Sequence, residues 1–340
     1  MAQSSDELIK REIVDFFIKE NGFPQLRIFP QSSRDDQELF SRGGLTFGVS
    51  GTMYGSCDAA WLTQGAWKDL YDGSTQKLRP IVALEGTDAL NRGSSGNAQY
   101  QRFHHVLGAI RNGVVGIYYF RSGVDKIQPD LFGMAVSASK LEKTPYLITD
   151  DLNEVKKIVK SASSGNLDGY LNDHVAKMDL KFKESFKKRY SSSWENFAHD
   201  RSTIIKDHSV IKYAGRNIRN FTESSQRAGH IAVGEMFLTK YFFPDKNVNY
   251  LFPRMTSADL AYLDGNKSTD KEWFLLRNEP NVRIRTLDDL IGLDNKLRDA
   301  FLNVRLEPLK GNALKTYQNA VMKLRNLIDV DKVYLRESVN

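Results

Sequence analysis

The sequence predicts an α+β protein: a mixed β-sheet flanked by helices over the first half, followed by a mainly helical C-terminal region. The apolar runs Arg79-Pro80-Ile81-Val82-Ala83-Leu84 and Val114 to Phe120 read as buried strands, and the stretch between them, Asn97 to Arg111, reads as a helix. Beyond Ser161-Ala162-Ser163-Ser164-Gly165-Asn166 the chain becomes helix-biased and more basic. With 41% hydrophobic and 26% charged residues, disordered and collagen-like classes are excluded.

Taken in order, Ser5 or Asp6 can cap a helix that buries Leu8, Ile9, Ile13, Val14, Phe16 and Phe17 and ends near Asn21-Gly22. Phe23 to Arg42, polar and containing proline, reads as loop. Leu45 to Ser50 and Asp58 to Thr63 are strand candidates, with Gly51 and Gly55 marking a turn between them. Gln64 to Gln76 is a polar connection. The strand Arg79 to Leu84 then delivers Glu85 to a polar loop running through Gly93-Ser94-Ser95-Gly96, which opens into the helix from Asn97. Phe132 to Ser137 is expected as a strand or a loop packed beneath one, Tyr146 to Ile148 as a short edge strand, and Leu152 to about Ser161 as a helix capped by Asp150 or Asp151. Two further amphipathic helices are expected over Leu287 to Asn303 and Gly311 to Ile328. The composition shift divides the chain into residues 1–162 and 167–340.

A chain of 340 residues is long enough for two ordinary domains. Its 48 Lys and Arg against 42 Asp and Glu give a net charge of +6, which suits a polyanionic partner without requiring one. Cys57 is the only cysteine, so neither a disulfide framework nor a cysteine zinc site is available. The N-terminus lacks the basic start and apolar stretch of a signal peptide, and no apolar run approaches the ~18 residues of a membrane span. A cytoplasmic protein with no membrane partner is the expectation.

An apolar strand that ends on a carboxylate is chemically unusual. A carboxylate there resists burial and needs a positive partner, a set of donors or a metal ion. Glu85 is one such group and Asp58 is a second acidic residue at a strand position. Each has a structural alternative: Asp58 as a turn former after Gly55-Ser56, and Glu85 as an ion-pair partner of Arg102 or Arg111.

The order helix, strand, strand, strand, helix, strand over Asp6 to Phe120, with Asp58 and Glu85 on adjacent strands, resembles the PD-(D/E)XK nuclease superfamily, which includes many type II restriction endonucleases. The resemblance implies a restriction-endonuclease-like core in which Asp58, Glu85 and the carbonyl of Gly86 hold Mg²⁺. Such a hard cation polarises a phosphoryl oxygen and lowers the pKa of a water. Two positions depart from the family pattern. Cys57 stands where a proline precedes the aspartate, and Thr87 stands where a lysine usually orients or activates the attacking water. The missing charge points to the helix, where Gln99, Gln101, Arg102 and His105 are candidates. The catalytic set the resemblance implies is Asp58, Glu85, Thr87, Gln101 and Arg102.

Other patterns compete. Pro129-Asp130 with Glu154-Val155-Lys156 spells the family motif literally, but Glu154 lies in a segment with helical periodicity and capping aspartates, where Glu154 and Lys156 point to different faces. Ser94, Ser95 and Asn97, at a helix start rich in free N–H groups, suit a DNA backbone phosphate. There is no Walker sequence and no G-x-G-x-x-G after a strand, so no nucleotide cofactor is expected. His104 and His105 point about 100° apart and cannot easily chelate one ion, so one is expected to pack inward and the other to reach the surface or the site. Cys57 reads as a small buried residue.

In the second half, Arg216, Arg219, Gln226, Arg227 and Lys240 lie among Asn, Ser and Thr, a composition suited to reading bases and phosphates. A second basic cluster, Arg254, Lys267, Lys271 and Arg277, surrounds Trp273. The combined expectation is a Mg²⁺-dependent, sequence-specific endonuclease of double-stranded DNA. A homodimer follows from the need for two active sites on a symmetric target. The alternatives are a repair or phage-type nuclease of the same superfamily and a non-catalytic DNA-binding regulator. A nucleotidyltransferase fits less well, because Ala60 stands where a second acidic residue would be required.

Overall fold

The computed structural model describes residues 5–20, 26–29, 45–49, 52–63, 80–89, 93–165, 169–190, 202–204, 210–223, 228–267, 269, 271–280, 282–291, 293–304, 309–328 and 334–335. They form an α+β protein of two compact units, Met1–Arg189 and Tyr190–Asn340. The boundary falls later than the composition shift suggests, because Ser161 to Ser163 end a helix and the helix after it, Tyr170–Tyr190, still belongs to the first unit up to Arg189. Among the described residues no helix is long and apolar enough to cross a membrane.

The first unit starts with α1 (Ser5–Glu20), whose Ile9, Ile13, Val14 and Phe17 are buried as the spacing predicts. Strand β1 (Leu26–Phe29) follows, then a hairpin of β2 (Thr46–Val49) and β3 (Thr52–Ser56). Next come β4 (Ala59–Thr63), β5 (Val82–Thr87), α2 (Gly93–Arg111) and β6 (Val115–Phe120). The unit closes with α3 (Asp130–Glu142), β7 (Tyr146–Thr149), α4 (Leu152–Ser163) and α5 (Tyr170–Tyr190).

One five-stranded sheet runs β1-β4-β5-β6-β7. Its first two pairings are antiparallel and the last two parallel. Side chains alternate across a strand, so Gly86, which meets Ile9 of α1, and Ala83, which packs with Phe47 and Ala109, face opposite sides of β5. Helix α1 therefore covers one face of the sheet and α2 the other. Close approach is enforced on both: a Cβ on Gly86 would stand 2.3 Å from Ile9 Cγ2, and one on Gly116 would stand 2.4 Å from Val106 Cγ1.

Three expectations are corrected here. The sheet's first strand is Leu26–Phe29, placed in the expected loop, whereas Leu45 to Ser50 supplies β2 of a separate hairpin against α2. A four-residue strand between Pro24 and Pro30 is too short to show alternation. Phe132 to Ser137 is helical, because Leu131 through Ser139 are all buried and a helix buried all round shows no apolar stripe. The run ending at Glu85 does not stop there: β5 continues to Thr87, paired with Tyr118 to Phe120 of β6.

The second unit contains β8 (Ser202–Ile204), β9 (Val210–Tyr213), α6 (Arg219–Thr222), α7 (Ala228–Phe242), β10 (Val248–Phe252), α8 (Ser257–Gly265), α9 (Lys271–Arg277) and β11 (Val282–Thr286). After these come β12 (Leu290–Ile291), α10 (Asn295–Asn303), α11 (Gly311–Ile328) and β13 (Tyr334–Leu335). Helices dominate, as expected, but they enclose a sheet of order β11-β10-β9-β8 that the sequence reading lacked. Strands β9, β10 and β11 are parallel. Ile211 and Leu251 pack with Leu297, Phe301, Tyr317 and Leu324 of α10 and α11. The expected helix over Leu287 to Asn303 is confined to Asn295–Asn303, since Thr286 and Asp289 close a capping box on a short 3-10 turn and Asp294 caps α10 separately.

Candidate functional site

Register brings the two carboxylates together. Ala59 of β4 is paired with Leu84 of β5 in an antiparallel ladder, so Asp58, one residue before β4, comes level with Glu85. Both are withdrawn from water, Glu85 at 1% and Asp58 at 6% exposure. Buried carboxylates need partners, and three elements provide them. The Gly86 N–H donates to Asp58 Oδ2 at 2.9 Å. From α1, Lys10 Nζ stands 3.5 Å from Asp58 Oδ1. From α2, Arg102 Nη1 donates to Glu85 Oε1 at 2.9 Å and to the Gly86 carbonyl at 3.0 Å, and His105 Nδ1 lies 3.1 Å from the same Glu85 oxygen. Arg102 and His105 are three residues apart and share a helix face. The second oxygen, Glu85 Oε2, is buried without a hydrogen-bond partner among the described residues.

The electrostatics follow from this packing. Burial pushes Asp58 up to about 7, reinforced by the charge of Glu85, while the Gly86 N–H, Lys10 and Arg102 pull the other way. For His105, burial favours the neutral ring, but the charge and hydrogen bonding of Glu85 outweigh it and the imidazole is raised. The Cys57 thiol is driven up by burial and then by Glu85 and Asp58, and it points at the His105 carbonyl, so it is the inert small residue expected. His104 is buried against Phe103, leaving His105 as the member of the pair that reaches the site.

Two carboxylates and a backbone carbonyl form an oxygen-only donor set, the kind Mg²⁺ prefers. Glu85 Oε2 is the donor of this set without a hydrogen-bond partner among the described residues. Among the described residues no group of three or more His, Cys, Asp or Glu side chains is placed to hold a metal ion.

The other expected site residues divide. Thr87 is buried and its hydroxyl accepts from the Ala89 N–H at 3.0 Å, so it shapes the strand end and carries no charge into the site. Gln101 is half-buried about 100° around α2 from Arg102, with no hydrogen bond to Asp58 or Glu85. Gln99 is structural: it donates to the Ala89 and Lys126 carbonyls and accepts from the Gln128 N–H. The expected loop at Ser94, Ser95 and Asn97 is already helical from Gly93, and those side chains lie outside the described residues. In the competing motif, Glu154 lies on α4 and pairs with Lys157, while Asp130 opens α3.

Lys10 was missed. It occupies the apolar stripe of α1 with Ile13, Val14 and Phe17, and a lysine on a buried face is itself a signal that a carboxylate waits beneath.

In the second unit the expected base readers are largely committed to internal partners. Arg216 donates to Glu235 Oε2 at 3.0 Å and to the Tyr250 hydroxyl at 3.1 Å. Lys240 is buried and donates to the Pro244 and Lys246 carbonyls, closing the end of α7. Arg254 donates to the Val304 and Gly215 carbonyls, and Trp273 is buried with its N–H on Asp264. Arg219 is exposed and pairs with Glu223 at the C-cap of its helix, while Gln226 and Arg227 lie outside the described residues. Arg216 and Lys240, expected as base readers, thus have their donors engaged by partners within the unit.

A stability prediction follows for the first of these. Burial opposes ionisation of Glu235, but Arg216 and then Lys212 hold it down to about 2. Its folded pKa lies below its unfolded value, so its contribution is complete above about pH 4.5 and is lost as pH falls through about 2. Glu235→Gln is expected to destabilise the protein by about 3 kcal/mol at pH 7 and by much less near pH 2. Chemical denaturation at both pH values checks this, and an equal loss at each would refute it.

Neither family models nor curated proteins nor solved structures give a match to this chain.

Proposed function

We propose that the protein is a Mg²⁺-dependent endonuclease acting on double-stranded DNA, with the site on the first unit. The observation that carries the reading is the pairing of buried Asp58 and Glu85 at adjacent β4 and β5 positions, with Glu85 Oε2 unpartnered, in a sheet whose order is antiparallel, antiparallel, parallel from β1 to β6. This is the arrangement expected of a restriction-endonuclease-like core. Asp58, Glu85 and the Gly86 carbonyl would hold Mg²⁺, which supplies Lewis-acid polarisation of a phosphodiester and acidifies water. Lys10 faces Asp58 from α1, and Arg102 and the imidazole of His105 face Glu85 from α2. In this reading the positive charge that the family places two residues beyond the glutamate is supplied in place of Thr87 by helices on both faces of the sheet. Sequence-specific recognition by the basic second unit, with Arg219 as a candidate contact, and a homodimer acting on a symmetric target complete the reading.

The test is incubation of plasmid and phage DNA with the protein, with and without Mg²⁺. Discrete metal-dependent fragments are the expected result. Smearing would favour a repair or phage-type nuclease. Retarded but uncut DNA would sink the nuclease reading and leave a DNA-binding regulator.

A further inference from the structure

One nitrogen of Arg102 holds two acceptors at once, Glu85 Oε1 at 2.9 Å and Gly86 O at 3.0 Å. Glu85 and the Gly86 carbonyl are two of the donors proposed above for Mg²⁺, and Arg102 holds the Glu85 oxygen other than the unpartnered Oε2. A guanidinium is permanently charged and less strongly hydrated than an ammonium, so it suits a buried carboxylate. Its side chain is 22% exposed against 2% for Glu85, so it reaches the oxygens from the wetter side. Asp58 is held by different groups, Lys10 on α1 and the Gly86 N–H.

We propose that Arg102 is a resident cation that competes with Mg²⁺ for Glu85 Oε1 and Gly86 O, and that it must leave these oxygens before they can take the metal. The competition rests on the metal site proposed above. It explains how a carboxylate this deeply buried stays satisfied within the fold, since an ionised group there needs a positive partner. Departure of Arg102 does not dismantle the site, because Asp58 keeps its own partners and Glu85 keeps His105. The released guanidinium is suited to grip phosphate through paired N–H donors, a role Thr87 cannot fill. Metal affinity and DNA cleavage are then coupled through one side chain, and its removal moves them in opposite directions.

The experiment is isothermal titration of Mg²⁺ into the full-length wild-type protein and its Arg102→Gln, Arg102→Lys and Glu85→Ala variants, with cleavage measured alongside. Arg102→Gln is expected to bind Mg²⁺ on the order of ten- to a hundred-fold more tightly, the equivalent of one charge-assisted hydrogen bond relieved, while cutting more slowly. Arg102→Lys keeps the charge but presents one ammonium in place of a planar fork, and it should bind Mg²⁺ several-fold more tightly. The lysine variant decides the matter where the glutamine protein does not fold. Wild-type or weaker Mg²⁺ affinity in a folded Arg102 variant overturns the competition. If wild-type binding is abolished by Glu85→Ala and yet unaffected by Arg102→Gln, the nuclease reading stands and only the competition falls. Absence of Mg²⁺ binding by the wild type sinks both.

Discussion

Glu85→Ala is expected to abolish Mg²⁺-dependent cleavage, by on the order of a thousandfold or more, while leaving DNA retention intact. The residue contributes one carboxylate to the proposed metal set and partners both Arg102 and His105, so its loss removes a ligand and leaves the Arg102 guanidinium without its carboxylate. Removing one member of a buried pair typically costs about 3–5 kcal/mol, and a collapse of the fold would mimic a loss of catalysis. Glu85→Gln separates the two. Its amide oxygen still accepts from Arg102 and its shape is conserved, but it brings no negative charge to the metal. A folded Glu85→Gln protein that cuts at the wild-type rate would refute the assignment. Glu154→Ala is the matched control: Glu154 lies on α4 with Lys157 and should be dispensable.

The second large effect is a pH dependence of stability centred on Asp58. Burial first, and the charge of Glu85 second, raise Asp58 from 3.8 to about 7. A carboxylate whose folded pKa lies above its unfolded value contributes fully when protonated in both states, below about pH 4. That contribution is lost as pH rises through about 7. At 1.36 kcal/mol for each unit, the fall across this window from Asp58 alone is about 4 kcal/mol. Asp58→Asn should remove Asp58's share of the slope, leaving the smaller fall due to His105, and be the more stable protein at pH 8, read by urea unfolding between pH 4 and 8. Parallel stability profiles for the two proteins would show that the site does not resist ionisation. Such a site stores unfavourable energy that a divalent cation would relieve, which is why added Mg²⁺ should flatten the wild-type slope.

Much of the site was legible from residues alone. Apolar runs located β5 and β6, the helical spacing located α1 and α2, and an acidic residue beside each of two apolar strands singled out Asp58 and Glu85. Arg102 and His105 emerged because a helix following the glutamate strand can send side chains back to it. In the second unit the partners of Arg216 and Lys240 were not legible, because composition reports charge but not whether a carboxylate or carbonyl on another element engages it. Glu235 lies on α7 and Tyr250 on β10, and nothing in the local sequence around Arg216 announces either.

What the sequence by itself determined was therefore the periodic part: which segments bury a face, where α1, α4 and α11 lie, and which carboxylates break an apolar pattern. Only the tertiary structure decided which groups answer those carboxylates. Lys10 meets Asp58 from the opposite face of the sheet to Arg102. Leu26–Phe29 became the first strand of the sheet in place of Leu45 to Ser50, through pairing with β4. The physical reason is range. Hydrophobic periodicity acts through neighbours within a turn or two of chain, whereas a buried charge is satisfied by whichever donors the register of distant strands and the packing of distant helices carry to it.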